Sequence, residues 1–275
     1  MGMNVTQAAS FAVLVISCDK YADLWSPFFK AYKAQFSDWA QTPLYLGSNA
    51  IDCNEPGVIT LKVGDTDWSS GLMKLLDGIP NEYVLTMLED FFLSSPLSLT
   101  RLNDALAEMR ELKAHCVKLH NYTPSSLVSK TASSLELINA GTPYRVCTQA
   151  AIWKKSTLQS LVIRGESPWQ FENNATLRAN NLSEKEFRVA RTNVITAHYE
   201  HVVERGMWRP QCRTLIESAG VNFATSERPM MTGLQQSFAK LKAWAHEWVW
   251  SLPPDFREPF LRVGAGAAKL VSRIV

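Results

Sequence analysis

Two adjacent carboxylates, Glu89 and Asp90, follow an apolar run that begins at Tyr83. A continuous apolar run is typical of a parallel strand buried on both faces, and ligands of open α/β sheets bind outside the carboxyl ends of such strands. A hard divalent cation needs oxygen ligands, and Mg²⁺ is held by one or two carboxylates together with substrate phosphates. Phe91 and Phe92 follow directly and indicate a partly enclosed position. The pair therefore predicts a metal site, and the alternative is solvated charge on a surface loop.

The composition is that of an ordinary globular chain. With 275 residues, of which 46% are hydrophobic and 20% charged, the chain can bury a core as one large domain or as one domain with an appendage. The net charge of +2 comes from basic residues scattered among acids, so sequence-independent nucleic-acid binding is not indicated. The cysteines are odd in number, widely spaced and without a C-x-x-C pair, which predicts reduced thiols in a cytoplasmic protein.

No segment has the pattern of an export signal or a membrane span. The apolar segment 11–18 has no basic residue before it, so a core strand is predicted there rather than a signal peptide. No run approaches the roughly 18 apolar residues of a membrane span. The tail 256–275 mixes Arg and Lys with Phe, Leu and Ile, a pattern that can lie on the inner face of an anionic membrane. A docking segment or a frayed terminus is the alternative.

The first half of the chain alternates predicted strands with predicted amphipathic helices. Apolar runs predict strands, and apolar residues at spacings of three and four predict helical faces. The predicted strands are 11–17, 44–46, 58–61, the run from 83, 115–119 and 145–148. The predicted helical faces are Leu24, Trp25, Phe28, Phe29, Tyr32 and Phe36; Trp68, Leu72, Leu75, Leu76 and Ile79; and Leu99, Leu102, Leu106 and Met109. This alternation predicts an α/β fold, a mostly parallel sheet with helices on both faces.

After about residue 180 the pattern becomes helical. Ser183 and Glu186 form a capping-box pattern, S-x-x-E, ahead of apolar residues at helical spacing, and Arg205-Gly206 ends that predicted helix. Its predicted inner face is Phe187, Ala190, Val194, Ile195 and Val202. A last helix is predicted over 234–250, with one side made of Leu234, Phe238, Leu241, Ala245 and Trp248.

Four features follow one another in a characteristic order. A first strand ends in Ser17-Cys18-Asp19, an amphipathic helix starts at Trp68, an apolar strand ends in Glu89-Asp90, and the loop 165–172 reads GESPWQFE. In this order they resemble the nucleotide-sugar glycosyltransferases of the GT-A fold, which is Rossmann-like, and among them the small bacterial majastridin-like family. The resemblance covers roughly residues 10–210. It implies a GT-A-like catalytic domain over 1–210 and a helical C-terminal extension over 211–275.

The resemblance implies a donor site for a nucleoside diphosphate sugar, with a UDP-sugar favoured. In this fold the loop after the first strand holds the base and ribose, here Ser17, Cys18 and Asp19, with Asp19 as a hydrogen-bond acceptor. Trp68 and Ser69 lie at a helix N-terminus, where a phosphate or a sugar hydroxyl could bind, although a capping role would explain Ser69 equally well. A guanidinium fork could bind the diphosphate. The candidates for this role are Arg178 or, alternatively, Arg205 and Arg209.

The D-x-D metal motif of the fold corresponds here to Leu88-Glu89-Asp90, so that Leu88 replaces the first Asp. The resemblance then makes Asp90 the direct ligand of Mn²⁺ or Mg²⁺ and Glu89 a supporting ligand or a ribose contact. The C-terminal half of the fold sometimes supplies a histidine, and His198 is the candidate. His198 and His201, spaced H-x-x-H on a predicted helix, are more typical of a helix surface than of a metal pair. The replacement at Leu88 leaves metal dependence itself open.

The loop GESPWQFE resembles the acceptor side of such enzymes. There an aromatic ring packs on the acceptor sugar and a nearby acid takes the proton from the attacking hydroxyl. The resemblance makes Trp169 the acceptor contact and Glu172, narrowly ahead of Glu166, the catalytic base. The alternative is a structural loop in which Trp169 is buried and the two acids cap the following turn.

These features predict a cytoplasmic glycosyltransferase of the hexosyltransferase type. It would move a sugar from a nucleoside diphosphate donor to a saccharide or another hydroxyl acceptor, with a divalent metal. A nucleotidyltransferase would normally carry a glycine-rich phosphate loop after the first strand, and SCDKYADLW contains no glycine. A non-catalytic carbohydrate- or nucleotide-binding protein of the same fold is the second alternative, which Leu88 keeps open.

Overall fold

The computed structural model of the chain describes residues 11–120, 128–131, 133–182, 187–190 and 197–237, together with residues 241, 244 and 248. The chain divides into two compact units, Met1–Glu227 and Arg228–Val275. This division falls later in the chain than the predicted domain boundary at residue 210. The sheet and the candidate site belong to the first unit.

The secondary structure of the described residues alternates strands and helices in the first half and is richer in strands afterwards. The strands are β1 (Ala12–Ile16), β2 (Leu44–Ser48), β3 (Val58–Lys62), β4 (Tyr83–Leu88), β5 (Phe91–Leu93), β6 (Cys116–Lys118), β7 (Val128–Ser129), β8 (Leu135–Ile138), β9 (Ala151–Lys154), β10 (Phe187–Ala190), β11 (Tyr199–His201), β12 (Val203–Glu204) and β13 (Met207–Trp208). The helices are α1 (Ala22–Gln35), α2 (Trp68–Asp77), α3 (Leu99–Glu111), α4 (Lys155–Leu161), α5 (Pro168–Ala179) and α6 (Arg213–Ser218).

Nine of the described strands form one sheet in the order β3-β2-β1-β4-β9-β6-β10-β8-β7. Strands β3, β2, β1 and β4 pair in parallel, and β9 and β8 run against the others. From β1 the chain moves outward to β2 and β3 and then returns to the other side of β1 as β4. The boundary between β1 and β4 is therefore a topological switch point, where open α/β sheets bind their ligands.

Helices cover both faces of this sheet. Ala12, Leu14 and Ile16 of β1 pack in one cluster with residues of α2, α4 and α5. The alternating Val13 and Val15 point to the opposite face and are equally buried. Because the β1-to-β2 and β3-to-β4 connections run in opposite directions across the sheet, right-handed crossovers place α1 and α2 on opposite faces. The predicted fold class, a mostly parallel α/β sheet with helices on both faces, is confirmed.

The predicted helices of the first half are confirmed by their buried faces. All six apolar residues predicted to form the inner face of α1 are buried. Helix α2 begins at Trp68 because the Asp67 side chain accepts a hydrogen bond from the Ser70 N–H, and it ends before Gly78, as predicted. Helix α3 begins after Ser98, whose side chain accepts from the Arg101 N–H.

Two predictions in the second half are wrong. Residues 145–148 are not a strand; Arg145 is fully buried there, and its guanidinium donates to the Ala179 carbonyl at 2.7 Å and lies over the Phe187 ring. The helix predicted from the capping-box pattern is also wrong over the described residues, since 187–190 form β10, which lies between β6 and β8 in the sheet. Residues 183–186 and 191–196, which include Ser183, Glu186, Val194 and Ile195, lie outside the described residues. Short apolar runs fit a buried strand and a helix equally well.

Arg205-Gly206 does not end a helix. The two residues form the tight turn between β12 and β13, and both have positive φ, 52° and 76°. Such a pair is the conformation of the I′ turns that join antiparallel strands, and glycine adopts it without a steric cost.

The last predicted helix differs from expectation in its exposure. The backbone is helical at 233–237 and at 241, 244 and 248, but the predicted inner residues Leu234, Leu241 and Trp248 are 76%, 59% and 49% exposed. Phe238, Ala245 and the tail 256–275 lie outside the described residues. Within the described part of the chain, no helix is both long and apolar enough to span a membrane.

Gly47 of β2 lies where a larger residue would collide with the core. A Cβ added there would come within 2.5 Å of Leu75 Cδ1, and Leu75 is only 2% exposed, so it has little room to move. We expect Gly47→Ala to lower the free energy of unfolding by about 1–3 kcal/mol, measured by urea unfolding.

Gly71→Ala is the matched control. Its Cβ would meet Thr66 at 3.4 Å, an ordinary contact, in the interior of α2, where Ala is favoured over Gly by about 0.5–1 kcal/mol. Equal stability of Gly47→Ala and the parent would show that the packing of β2 on α2 is looser than the structure indicates.

Candidate functional site

Five segments of the chain meet at one edge of the sheet, at the switch point. Ile16 at the end of β1 lies beside Leu88 at the end of β4, and Ala151 at the start of the antiparallel β9 lies between Thr86 and Lys118. This register brings together the segments that follow β1, β2, β4 and β6 and the segment that precedes β9. The predicted residues after β1 and β4 are therefore neighbours, as a ligand site at this edge requires.

The Asp19 carboxylate joins the loops after β1 and β2. Its Oδ1 accepts a hydrogen bond from the Asn49 N–H at 2.8 Å and its Oδ2 one from the Ala50 N–H at 3.0 Å. The Asp19 N–H in turn donates to the Asn49 side chain at 3.1 Å, and Trp25 Nε1 donates to Ser17 Oγ at 2.8 Å. The carboxylate predicted to accept from a nucleotide thus fixes the shape of the loop. Its contact with a ligand remains a prediction, as does that of Ser17 and Cys18.

Asp90 lies in the turn between β4 and β5, next to a histidine from a distant strand. Its Oδ2 lies 3.0 Å from Nε2 of His201, and its backbone carbonyl accepts from the Val202 N–H at 2.9 Å. The pairing of β5 with β11 places His201 opposite Phe91, and the two rings stack with centroids 4.7 Å apart. Oδ1 of Asp90 is buried and has no hydrogen-bond partner among the described residues. Asp90 and His201 therefore form a paired carboxylate and imidazole with one carboxylate oxygen unused.

His201, and not His198, is the histidine beside Asp90. The two were predicted to share a helix, but His201 belongs to β11, and the His198 carbonyl accepts from the Ser94 N–H as the same ladder continues. Side chains alternate along an extended chain, so His198 and His201 point to opposite faces, and His198 is exposed. In the described part of the chain, no three His, Cys, Asp or Glu side chains are grouped so that they could hold a metal ion. The predicted set Asp90, Glu89 and His198 is thus not such a group.

Glu89 is buried and lies close to the loop after β1. It is 6% exposed, and its charge is felt by Cys18: burial and then the Glu89 carboxylate raise the pKa of the Cys18 thiol. This interaction couples the segments after β1 and β4. The predicted roles of Glu89, a supporting metal ligand or a ribose contact, remain predictions.

Glu166 and Arg178 form a bidentate ion pair on α5 and the loop before it. Arg178 Nη1 donates to Glu166 Oε1 at 2.8 Å and Nη2 donates to Oε2 at 2.7 Å, and Asn174 donates to the same carboxylate. Burial opposes ionisation of this carboxyl group, but these hydrogen bonds outweigh it, so the pKa of Glu166 is lowered. Arg178 Nη2 also donates to the Leu161 carbonyl at 2.6 Å. The guanidinium predicted to bind a diphosphate and the carboxylate considered as a base are bound to one another.

Ser69 ties the start of α2 to the same loop. Its hydroxyl, fully buried, donates to Asp67 Oδ1 at 2.6 Å and accepts from the Glu166 N–H at 3.1 Å. Asp67 caps α2 and also accepts from the Gly165 N–H, and hydrogen bonds from Ser69 and Ser70 hold the pKa of Asp67 well below its usual range. The Ser69 hydroxyl thus makes two hydrogen bonds within the fold, and its contact with a ligand remains a prediction.

The two aromatic residues predicted near the substrate differ in exposure. The Trp68 ring is partly buried and packs against Phe171 with centroids 5.3 Å apart. Trp169 is 74% exposed at the start of α5, whose N-terminus is closed by a capping box of Ser167 and Gln170. The alternative in which Trp169 is buried and the acids cap the turn is therefore wrong.

Glu172 has an environment opposite to that of Glu166. Its Oε1 accepts from both the N–H and the hydroxyl of Thr148, each at 2.8 Å. Burial nevertheless dominates and raises the pKa of Glu172, with the Lys118 charge acting against it. Thr148 lines a small cavity with Ile16 and Thr86, so Glu172 is held through Thr148 at the carboxyl ends of β1 and β4.

His120 is a residue of this edge that the sequence analysis missed. It follows β6, and its ring lies 4.5 Å from the Tyr199 ring, next to the strand that carries His201. Burial, together with the His198 and Lys118 charges, lowers the pKa of His120 to about 4, so its imidazole is neutral at pH 7. The signal in the sequence that could have identified His120 is its position directly after the predicted strand 115–119.

No protein-family model matches the chain, and no curated protein matches it. Three solved structures that match each contain a nucleotide sugar, and one of them is a mannosyltransferase. S. aureus TarS 1-349 in complex with UDP-GlcNAc is 16% identical, with a TM-score of 0.39, over 70% of this chain and 60% of that one. Glucosyl-3-phosphoglycerate synthase from Mycobacterium tuberculosis, with Mn²⁺ and UDP-Glc, is 10% identical, with a TM-score of 0.45, over 81% of this chain and 84% of that one. The mannosyltransferase PcManGT from Pyrobaculum calidifontis, with GDP-Man and Mn²⁺, is 12% identical, with a TM-score of 0.48, over 94% of this chain and 80% of that one.

The chain spans 60% of the length of the TarS 1-349 structure that it matches. It is similar to these proteins at low identity, with each TM-score below 0.5.

Glu166→Gln is expected to change how stability depends on pH. Because the folded-state pKa of Glu166 is lowered, its ion pair stabilises the fold above the ordinary glutamate pKa of about 4.3, and this contribution is lost as the pH falls through the folded-state value. At pH 7 the free energy of unfolding of the parent, measured with urea, should exceed that of the variant by about 1–3 kcal/mol. The difference should shrink as the pH is lowered.

Glu172→Gln is the control, and its expected pH dependence has the opposite sign. Because the pKa of Glu172 is raised, its contribution to stability is present at low pH and is lost as the pH rises. The free energy of unfolding of the variant should therefore increase relative to that of the parent from acid to neutral pH. Two variants with the same pH dependence would show that the environments of the two acids are assigned incorrectly.

Proposed function

We propose that the chain is a metal-assisted glycosyltransferase of the hexosyltransferase type. Its donor would be a nucleoside diphosphate sugar, with a UDP-sugar favoured, and its acceptor a hydroxyl of a saccharide or another molecule. The observation that carries the proposal is the Asp90 and His201 pair at the switch point, with one buried carboxylate oxygen that the described residues leave unused. A carboxylate and an imidazole at this edge, beside the loop after β1, are suited to a metal and a phosphate-bearing ligand.

Asp90 and His201 would hold the metal in this proposal. Mg²⁺ prefers oxygen ligands throughout, so of the two predicted metals a histidine ligand favours Mn²⁺ over Mg²⁺. Two side chains are sufficient where substrate phosphates supply further ligands, which offsets the replacement of an Asp by Leu88. When bound, the metal would offset the charge that develops on the leaving diphosphate.

The loop after β1 would receive the nucleotide. Ser17, Cys18 and Asp19 lie beside Glu89 at the switch point, and the clamp from Asp19 to Asn49 and Ala50 gives this loop a fixed shape. Backbone groups and the Ser17 hydroxyl are the proposed contacts to base and ribose. Because Arg178 is bound to Glu166, the alternative cations for the diphosphate are Arg205 and Arg209, and Arg209 donates to the His201 carbonyl at 3.0 Å.

Glu172 is the proposed base, and Trp169 the proposed acceptor contact. A base that works near neutral pH needs a pKa raised toward that range, which burial provides for Glu172 and the Arg178 ion pair prevents for Glu166. The Glu172 carboxylate would take the proton of the attacking hydroxyl. Trp169 offers an exposed aromatic face on the same helix for an acceptor sugar.

A non-catalytic binding protein is the second candidate. It is favoured by Leu88 in the motif and by a described chain without three grouped metal ligands. The cytoplasmic location, the majastridin-like family and the peripheral membrane contact of the tail 256–275 remain predictions.

His201→Gln should abolish metal-dependent nucleotide binding. In a thermal-shift series with UDP, GDP and their sugars, with and without Mn²⁺, we expect the parent to be stabilised by at least one nucleotide only when Mn²⁺ is present. His201→Gln and Asp90→Asn should lose this shift because each removes one ligand of the proposed pair.

His198→Gln is the matched control, since His198 is exposed and points away from Asp90. It should keep the parental shift. If the two histidine variants behave alike, the assignment of His201 is wrong. If no nucleotide raises the unfolding temperature of the parent, the result favours the binding-protein alternative or another class of ligand.

Glu172→Gln should lower kcat by about 10² to 10⁴ with little change in KM, because it removes a proton acceptor and leaves substrate contacts intact. Glu166→Gln, assayed at a temperature at which it is folded, should retain most of its activity. The measurement is donor hydrolysis or transfer with the nucleotide identified by the shift series. Full activity of Glu172→Gln would remove it as the base.

A further inference from the structure

The two carboxylate oxygens of Glu172, the proposed base, have different surroundings. Oε1 accepts hydrogen bonds from the N–H and from the hydroxyl of Thr148, each at 2.8 Å. Among the described residues, Oε2 accepts no hydrogen bond. One oxygen is therefore held by the fold, and the other is left for a proton.

The loop that carries Thr148 is held on two sides. Nζ of the buried Lys118, at the end of β6, donates to the Tyr144 carbonyl at 2.9 Å. The Val146 N–H donates to the Thr176 hydroxyl oxygen, and that hydroxyl donates to the Val146 carbonyl, each at 3.1 Å. Thr176 belongs to α5, the helix of the proposed base. Strand β6 and helix α5 thus hold this loop by bonds in which Thr148 takes no part.

Two titratable side chains face Glu172 from other elements. Lys118 lies on the same face of β6 as Cys116, which packs in one cluster with α5, and its charge favours the ionised form of Glu172. Cys147, from the loop, is neutral at pH 7 because burial raises the pKa of its thiol. Burial also raises the pKa of Glu172, and the hydrogen bonds from Thr148, followed by the Lys118 charge, limit this rise.

We propose that Thr148 is the positioning residue of the proposed base. Its two hydrogen bonds hold one oxygen of Glu172 and favour the ionised carboxylate, so that the other oxygen can accept a proton near neutral pH. The proton of the attacking hydroxyl moves to Oε2, the hydroxyl oxygen bonds to the anomeric carbon of the donor sugar, and the bond from that carbon to the diphosphate breaks. The inference rests on the proposed function, in which Glu172 is the base.

The alternative role for the Thr148 hydroxyl is to fasten the loop to α5. The bonds between Val146 and Thr176 already do this two residues earlier in the loop. A hydroxyl that only fastens the loop affects stability, whereas a hydroxyl that positions a base also changes the pH at which that base ionises. The ionisation of Glu172 therefore separates the two roles.

Three variants of the full chain isolate the hydroxyl. Thr148→Val removes it and keeps the branched shape and the N–H, whereas Thr148→Ser keeps it. Thr86→Val is the matched control, because Thr86 lines the same small cavity but its hydroxyl donates to the Ala151 carbonyl at 3.4 Å and not to Glu172. A cooperative thermal unfolding transition shows that each variant is folded.

The first measurement is a titration of Glu172 by NMR, without substrate. Glutamate labelled with ¹³C at the carboxyl carbon reports ionisation, and the Glu172 signal is the one that Glu172→Gln lacks. We expect the midpoint of Thr148→Val to lie at higher pH than that of the parent, since a bond to the ionised form is lost. Thr148→Ser and Thr86→Val should titrate as the parent does.

The second measurement is the pH dependence of kcat, with the donor that the thermal-shift series identifies. At the pH where half of the parental Glu172 is ionised, kcat of Thr148→Val should be roughly fivefold below that of the parent, with little change in KM. The acid limb of its profile should move to higher pH, in the same direction as the NMR midpoint. Thr148→Ser should restore the parental profile.

Three results would overturn the proposal. An active parent whose Thr148→Val variant keeps the parental NMR midpoint and pH profile would remove the role of Thr148 and leave the proposed function standing. Thr148→Ser with the same profile as Thr148→Val would show that the hydroxyl is not what matters. A parent without transfer activity would overturn the proposed function, and with it the role of Thr148.

Discussion

The candidate site depends on three antiparallel residue pairs between β5 and β11. This short ladder brings a segment from near residue 200 to the residues that directly follow β4, and it sets His201 opposite Phe91 and next to Asp90. A shift of one residue would turn His201 to the other face, because side chains alternate along a strand. The register is fixed by packing: Phe92 and Leu93 are fully buried, and the Tyr199 ring meets the Phe91 ring edge-on at 4.9 Å.

The sequence was sufficient for the part of the site that rests on local pattern. Glu89 and Asp90 follow a continuous apolar run, and such runs report buried parallel strands directly, so their place at the sheet edge could be predicted. His201 could not be placed, because its strand pairs with a partner more than one hundred residues earlier, as the Asp90 contact shows. Residues 187–202 also have apolar residues at helical spacing, and only the sheet neighbours of β10 decide that it is a strand.

Two glutamates six positions apart show how environment separates residues that a motif treats alike. Glu166 lies against a guanidinium fork that lowers its pKa, whereas burial raises the pKa of Glu172 despite two hydrogen bonds from Thr148. Neither partner could be read from GESPWQFE, because Arg178 and Thr148 reach the acids only through the packing of α5. In many folds the pKa values of two neighbouring acids are shifted in opposite directions, and one acid then serves the structure while the other takes part in the chemistry.

The clamp made by Asp19 has a consequence for the entropy of ligand binding. Ordering a loop costs about 1–2 kcal/mol of backbone entropy per residue, and a site that becomes ordered only when a ligand arrives draws that cost from the binding energy. Here the carboxylate and the backbone N–H groups of Asn49 and Ala50 join the loops after β1 and β2 as part of folding. The surface at this edge is therefore preorganised. The entropy of ordering these loops is lost when the protein folds, so it lowers the stability of the fold and does not weaken the binding of a ligand there.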